Sequence, residues 1–154
     1  MGRCASKAWE TAVAAHTRAP IARPAVTTGH LLLGVLEEET CAGGLILGRL
    51  GLDFKLACAT TEFVLVYGRK PADTATVECG GAPHTIPAKT ALDCAFEEAD
   101  LFSPTYPIGT EHLLLGLLRV PDSIGCRVLN HLGIDEARAR AGRDELWDVL
   151  KTVE

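Results

Sequence analysis

Aromatic side chains are scarce in this chain, at 5% of the residues, and there is a single methionine. A core must therefore be built from Leu, Val, Ile and Ala. No apolar run approaches the roughly twenty residues that a membrane-spanning helix requires. The opening MGRCASKAWETA is broken by charge and polarity and has no leader-like apolar region. No basic stripe is present, which argues against nucleic-acid binding. The net charge is -5, and residues after about Ala75 carry nearly all of the acidic excess, a distribution better suited to a cationic peptide. No G-x-x-x-x-G-K-[ST] phosphate loop occurs, so nucleotide hydrolysis of that type is not expected. The six cysteines, Cys4, Cys41, Cys58, Cys79, Cys94 and Cys126, include no CxxC pair and have irregular gaps. Neither a zinc site nor a thioredoxin-like motif is indicated, and no cofactor is expected. Most of them fall inside apolar helical patterns, where a free thiol packs as a small hydrophobe. The expectation is a reduced, cytoplasmic protein.

A hydrophobic fraction of 47% and a charged fraction of 23% are those of a globular chain. Its 154 residues are enough for one well-buried domain, or for two small units sharing a core. The first residues also match the acylation pattern M-G-x-x-x-S through Met1, Gly2 and Ser6, with Cys4 as a neighbouring acyl acceptor. That pattern is short and often met by chance.

What the chain does contain is one segment twice. VTTGHLLLGVLEEETCAGGLILGRLG, from Val26 to Gly51, and IGTEHLLLGLLRVPDSIGCRVLNHLG, from Ile108 to Gly133, agree without a gap at about eleven of about twenty-six positions. The shared residues are Thr28/Thr110, His30/His112, the LLLG runs Leu31–Gly34 and Leu113–Gly116, Leu36/Leu118, Gly43/Gly125, Leu47/Leu129, Leu50/Leu132 and Gly51/Gly133. Most are apolar or glycine, which suits a packed helical unit; few could do chemistry.

Each repeat reads as four helices. In the first, Ala8, Trp9, Ala12, Val13 and Ala15 give a 3.6-residue stripe. Pro20 and Pro24 interrupt the chain. Thr28 is expected to cap the LLLG helix. A short helix ends at Gly51, and Asp53 caps a fourth helix to about Tyr67. A linker over about 68–84, with Pro71, Gly80, Gly81 and Pro83, carries a TATVE stretch able to pair as a short strand. In the second repeat Ala88, Ala91, Leu92, Ala95, Phe96 and Ala99 form the first stripe. The SPTYP loop follows, then a Thr110-capped helix, a short helix within Asp122–Gly133, and a last helix capped by Asp135. The expected architecture is all-α, a single domain over 1–154 made of two fused four-helix repeats, about 4–67 and about 85–152, related by a pseudo-twofold axis.

The string Gly109-Thr110-Glu111-His112-Leu113-Leu114-Leu115-Gly116-Leu117-Leu118, with Arg119 and then Arg127-Val128-Leu129-Asn130-His131-Leu132-Gly133, closely resembles the Clp N-terminal (Clp R) domain of ClpC-type AAA+ unfoldases. The resemblance covers nearly the whole chain and is stronger in the second repeat, since TTGHLLLGVL replaces GTEHLLLGLL in the first. It implies a non-catalytic module of the Clp chaperone–protease system, here a stand-alone copy without ATPase modules. Such a module docks substrates, adaptors or peptide ligands, as an accessory, adaptor or decoy protein. The implied partners are Clp ATPase or protease subunits, or their substrates, adaptors and peptide ligands; isolated plastid relatives associate with the protease core, which adds a structural role.

Some domains of this family bind phosphorylated arginine, one site per repeat. The glutamate of GTEH takes the guanidinium and a threonine opening the repeat's first helix helps hold the phosphate. The resemblance maps these roles onto Glu111 and Thr85. In the first repeat Gly29 replaces the acid, and Gly2 or Ala5 stands where Thr85 stands in the second. Cyclic-peptide antibiotics bind near the second repeat's first helix in some members; Lys89 and Asp93 match that face, while His84 occupies an aromatic position.

Local roles compete with these. Threonines at helix starts are usually caps, and an acid there is stabilised by the helix field. His30 and His112 read as structural groups, Glu37–Glu39 as a solvated helix end, and Trp9 and Trp147 as core anchors. A different class of function would be a small thiol hydrolase using Cys79 and His84, which would need a third orienting group and an oxyanion hole.

Overall fold

Each half of the chain folds into four helices in the computed structural model, which describes residues 1–69, 75–102 and 107–153. Helices α1 (Arg3–Ala15), α2 (Thr28–Glu37), α3 (Ala42–Arg49) and α4 (Phe54–Tyr67) form the first repeat. Helices α5 (Ile86–Phe102), α6 (Thr110–Leu118), α7 (Ile124–His131) and α8 (Glu136–Val153) form the second. Between them β1 (Thr76–Cys79) and β2 (Ala82–Thr85) pair antiparallel, with Thr76 opposite Thr85 and Cys79 opposite Ala82. The TATVE stretch therefore does supply a strand. Gly80 and Gly81 turn the hairpin at φ 60° and 84°, the left-handed geometry that a two-residue loop requires. Pro71 and, apart from Pro107, the SPTYP loop lie outside the described residues.

The scarcity of aromatics has a geometric counterpart. Ala5, Ala8, Ala12 and Ala15 of α1, and Ala88, Ala91, Ala95 and Ala99 of α5, are all buried. Against these small stripes lie the LLLG helices. A Cβ at Gly34 would collide with the Ala8 carbonyl, and one at Gly116 with the Ala91 carbonyl. The glycine of LLLG is thus the residue that lets two helix backbones touch. Leu32, Leu36, Leu114, Leu115 and Leu117 then fill the shared interior, each at most 1% exposed.

The repeated threonines do something other than cap their own helices. The N-caps are Thr27 and Gly109, one residue earlier than expected. Thr28 Oγ1 instead accepts from the Gly125 amide of α7 at 3.0 Å. Thr110 Oγ1 accepts from the Gly43 amide of α3 at 2.8 Å. Each repeat satisfies an orphan helix-start donor of the other. The conserved pattern of the duplication extends to the histidines. His30 Nδ1 accepts from the Thr27 amide at 3.0 Å and His112 Nδ1 from the Gly109 amide at 3.0 Å. The second nitrogen of His30 donates to the Ile21 carbonyl at 2.9 Å. Both rings take the place of the Glu or Gln of a capping box, the structural role expected.

Two sequence expectations need correction. Cys4 and Cys41 form a disulfide that ties the start of α1 to the start of α3, so the cysteines are not uniformly reduced and Cys4 is not a free acyl acceptor. The remaining four are free, and burial pushes the Cys58, Cys94 and Cys126 thiols up. Trp147 is also less of a core anchor than expected: it lines a surface cavity and stacks on Phe102 at 4.7 Å. Trp9 does pack against the core and donates to His84 Nε2 at 3.1 Å. No helix among the described residues is long and apolar enough to cross a membrane.

Thr28→Val and Thr110→Val each leave a buried amide without its acceptor. Each is expected to lower stability by about 1–3 kcal/mol, read from urea unfolding midpoints; an unchanged midpoint in both would show that these bonds do not hold the halves together.

A second expectation concerns acid. Burial holds the His30 ring well down, at about 4, against about 6.5 in an unfolded chain. The unfolded state takes up the proton first. The ring's contribution is therefore complete above about pH 6.5 and is lost as the pH falls towards 4, by at most about 1.4 kcal/mol per pH unit. His30→Gln keeps an acceptor for the Thr27 amide but cannot titrate, so its stability deficit relative to wild type should shrink between pH 7 and pH 5. A constant deficit across that range would contradict the assignment.

Candidate ligand-binding cavities

Two surface cavities lie at the seams between the repeats. Their composition follows from how the first helix of each repeat is attached. The Gly2 amide donates to the Ile108 carbonyl at 2.8 Å, so the start of α1 sits beside the start of α6. The Thr85 amide donates to the Val26 carbonyl at 2.9 Å, and the Val26 amide to the Pro83 carbonyl at 2.8 Å, so the start of α5 sits beside the start of α2. Since Val26 and Ile108 occupy the same position in the duplicated segment, Gly2 is the structural counterpart of Thr85. Each cavity thus joins the first helix of one repeat to the second helix of the other.

This arrangement separates residues that the sequence places in one repeat. Glu111 lines the smaller cavity, about 250 Å³, with Gly2, Arg3, Cys4, Trp147 and Leu150. Thr85 lines the larger one, about 730 Å³, with Thr28, Ile86, Ile124 and three arginines. Gly29 belongs to the Thr85 seam, where a side chain would meet Ile124 Cγ2 at 2.9 Å and Leu65 Cδ2 at 3.0 Å. That space is already filled by apolar groups, and no acid could enter it without repacking.

Glu111 is only 3% exposed, and burial pushes its carboxyl above the usual carboxylate range. The nearest ionisable neighbour is His112, with Nδ1 at 3.5 Å from Oε1, but that nitrogen accepts the Gly109 amide. Burial holds the His112 ring down, so the neighbour is neutral and adds no counter-charge. Arg143 acts on Glu111 from a longer range. Glu98 shows the contrast: equally buried, it receives Arg140 at 2.7 Å, Arg119 at 3.2 Å and Arg143 at 3.7 Å, and these guanidinium groups hold its carboxyl below the usual range. Among the described residues no lysine or arginine forms an ion pair with Glu111.

The remaining candidates are on the α5 side. Thr85 Oγ1 accepts from the Ala88 amide at 3.3 Å, a local cap. Lys89 and Asp93 form an i,i+4 ion pair on the outer face of α5, and the bond to Asp93 raises the Lys89 amine. His84 is fully buried; one ring nitrogen pairs with the Ala82 carbonyl at 2.9 Å and the other accepts from Trp9. Cys79 faces Ala82 across the hairpin, and both His84 nitrogens are engaged elsewhere. The thiol–imidazole pair is not assembled. No cluster of metal-ligating side chains occurs among the described residues.

The sequence assigned no ligand role to Arg23, Arg69 or Arg127: Arg23 and Arg69 lie outside the duplicated signature, and Arg127 enters only as part of the string that carries the resemblance, at a position where the two repeats differ. The available signal was the absence of any acid at i,i+4 from Arg127, which stays uncommitted on α7.

Two fused four-helix repeats with open cavities at their seams define a duplicated helical docking-type domain. The chain belongs to the Clp repeat (R) N-terminal domain family, whose description matches residues 84–154. It is 35% identical over 128 residues to a probable ATP-dependent Clp protease ATP-binding subunit of Chlamydia pneumoniae, covering 82% of this chain and 14% of that protein. It is 36% identical over 115 residues to the chloroplastic chaperone protein ClpC1 of Arabidopsis thaliana, covering 75% of this chain and 12% of that protein. The chain thus spans only about an eighth of the length of these relatives. The N-terminal domain of the chaperone ClpD from Arabidopsis thaliana has the same fold, with a TM-score of 0.74, 22% identity, and coverage of 96% of this chain and 94% of that one.

Because burial raises the folded-state pKa of Glu111, its effect on stability is least unfavourable below the unfolded pKa and worsens as the pH rises through the raised one. Glu111→Gln should therefore unfold at higher urea than wild type at pH 7, with the two midpoints converging towards pH 4. A lower midpoint for Glu111→Gln at pH 7 would mean that the carboxylate is paired within the chain.

Proposed function

We propose that the protein is a non-catalytic docking module of the Clp chaperone–protease system that takes substrates, adaptors or peptide ligands, acting as an adaptor or decoy. The observation that carries this reading is Glu111: a buried carboxylate at the wall of an open cavity, with no lysine or arginine ion-paired to it among the described residues. Such a group is stabilised by a ligand that brings the missing positive charge. A guanidinium matches it through paired N–H donors, and Trp147 lines the same cavity. A phosphoarginine or arginine side chain of a client segment is the ligand chemistry proposed for this cavity. Thr85, Lys89 and Asp93 form a second ligand locus on the α5 side, separate from Glu111.

Titration calorimetry with free phosphoarginine and with an arginine-phosphorylated peptide tests the reading. A charge-assisted hydrogen bond contributes about 1.5–3 kcal/mol, and about 1.4 kcal/mol is a factor of ten in affinity. Glu111→Gln should therefore weaken binding roughly ten- to a hundredfold, and Gly29→Ala should leave the Glu111 cavity unaffected. Equal affinity of wild type and Glu111→Gln, or no binding of either ligand to wild type, overturns the cationic assignment.

A further inference from the structure

The larger seam cavity has the opposite chemistry, and we propose that it binds the carboxylate side chains of an acidic peptide. This inference rests on the docking reading above and assigns a different ligand to a different cavity. Arg23, Arg69 and Arg127 all line it, against one acid, Asp122, among the described residues. None of the three arginines forms an ion pair with a carboxylate among the described residues, whereas Arg119, Arg140 and Arg143 all do.

Arg23 is the most telling of them. It is 9% exposed, and its guanidinium donates to the Leu65 carbonyl at 3.0 Å and the Val64 carbonyl at 3.4 Å near the end of α4. Carbonyls satisfy its N–H groups but carry no net charge. Only the last-turn carbonyls of α4 face the positive charge at the cavity wall, the negative end of a helix dipole, and an incoming anion adds the full counter-charge that they lack. Burial accordingly holds the Arg23 guanidinium below its ordinary range.

Two further features select a peptide carboxylate over a bare ion. A volume of about 730 Å³ is that of a pocket for an organic ligand or several peptide atoms. Pro24, Ala25, Ile86, Pro87 and Ile124 supply apolar wall, which favours carboxylates interleaved with aliphatic side chains. A guanidinium-bearing ligand is disfavoured here, since Gly29 replaces the acid that the other seam provides and Ile124 and Leu65 fill its place.

Fluorescence anisotropy with a labelled peptide of alternating Glu and Leu tests the proposal, against the same peptide with Gln for Glu and with Lys for Glu. Wild type should bind the Glu peptide at least tenfold more tightly than the Gln and Lys forms, with affinity falling as salt is added. Arg127→Glu and Arg69→Glu sit on exposed side chains and should each weaken the Glu peptide at least tenfold, with urea midpoints near wild type. Lys151→Gln, at the exposed end of α8 and outside both cavities, should leave it unchanged. Glu-peptide affinity equal to that of the Gln form, or unaltered in the Arg69→Glu/Arg127→Glu double variant, overturns the proposal. Glu-peptide binding without phosphoarginine binding removes only the cationic assignment at Glu111. Phosphoarginine binding without Glu-peptide binding removes only the present one.

Discussion

The fold hangs on a reciprocal pair of hydrogen bonds across the pseudo-twofold axis. Thr28 of the first repeat receives the Gly125 amide of the second, and Thr110 of the second receives the Gly43 amide of the first. A short helix such as α3 or α7 is marginal alone, and the donors at its start need acceptors. Supplying them from the other repeat means that neither repeat is complete without its partner. The close approach also explains the shared glycines: a Cβ at Gly43 would meet the Thr110 carbonyl at 2.7 Å, and one at Gly125 the Thr28 carbonyl at 3.0 Å. The duplicated segment is therefore a mutual clamp as much as a repeated helix pair.

The same interlocking dictates where ligands can bind. Because the start of α1 is pinned to the start of α6, and the start of α5 to the start of α2, the cavities open between repeats. Their chemistry is set by residues that the clamp does not need. One seam carries Glu111 beside Trp147; the other carries Arg23, Arg69 and Arg127. A scaffold held by apolar contacts, glycine and threonine leaves these positions free to diverge, and here they have diverged to opposite charge.

The helices, the duplication and the all-α architecture were legible because apolar periodicity and the LLLG signature are local signals. The role of Thr28 and Thr110 was not. A threonine before an apolar run reads as a cap, and only the long-range contact shows that Thr27 and Gly109 take that position while the repeated threonines reach across. Glu111 and Thr85 were legible as polar groups at helix starts, yet their separation into two cavities is a consequence of topology that spacing within one repeat cannot carry. The Cys4–Cys41 disulfide joins residues thirty-seven apart in different helical patterns, with no spacing rule to announce it. Arg23 looked like a loop residue between Pro20 and Pro24, and its burial depends on the end of α4 folding back over it.

Glu111 and Arg23 share one physical predicament. Each is ionisable, nearly buried and, among the described residues, without an ion pair to a charged group of the opposite sign, and each lines a cavity. Glu98 demonstrates that this fold can bury an acid with full compensation, since three arginines surround it. Burying a charge without a full counter-charge opposes folding, and the helix-terminal groups beside these two, a backbone amide at Glu111 and the last carbonyls of α4 at Arg23, offset only part of that cost. A ligand of opposite charge at each seam supplies the offset, and the energy withheld from folding becomes energy available for binding. The two sites then differ in the sign of what they accept, which lets one small domain hold a cationic side chain at one seam and an acidic segment at the other.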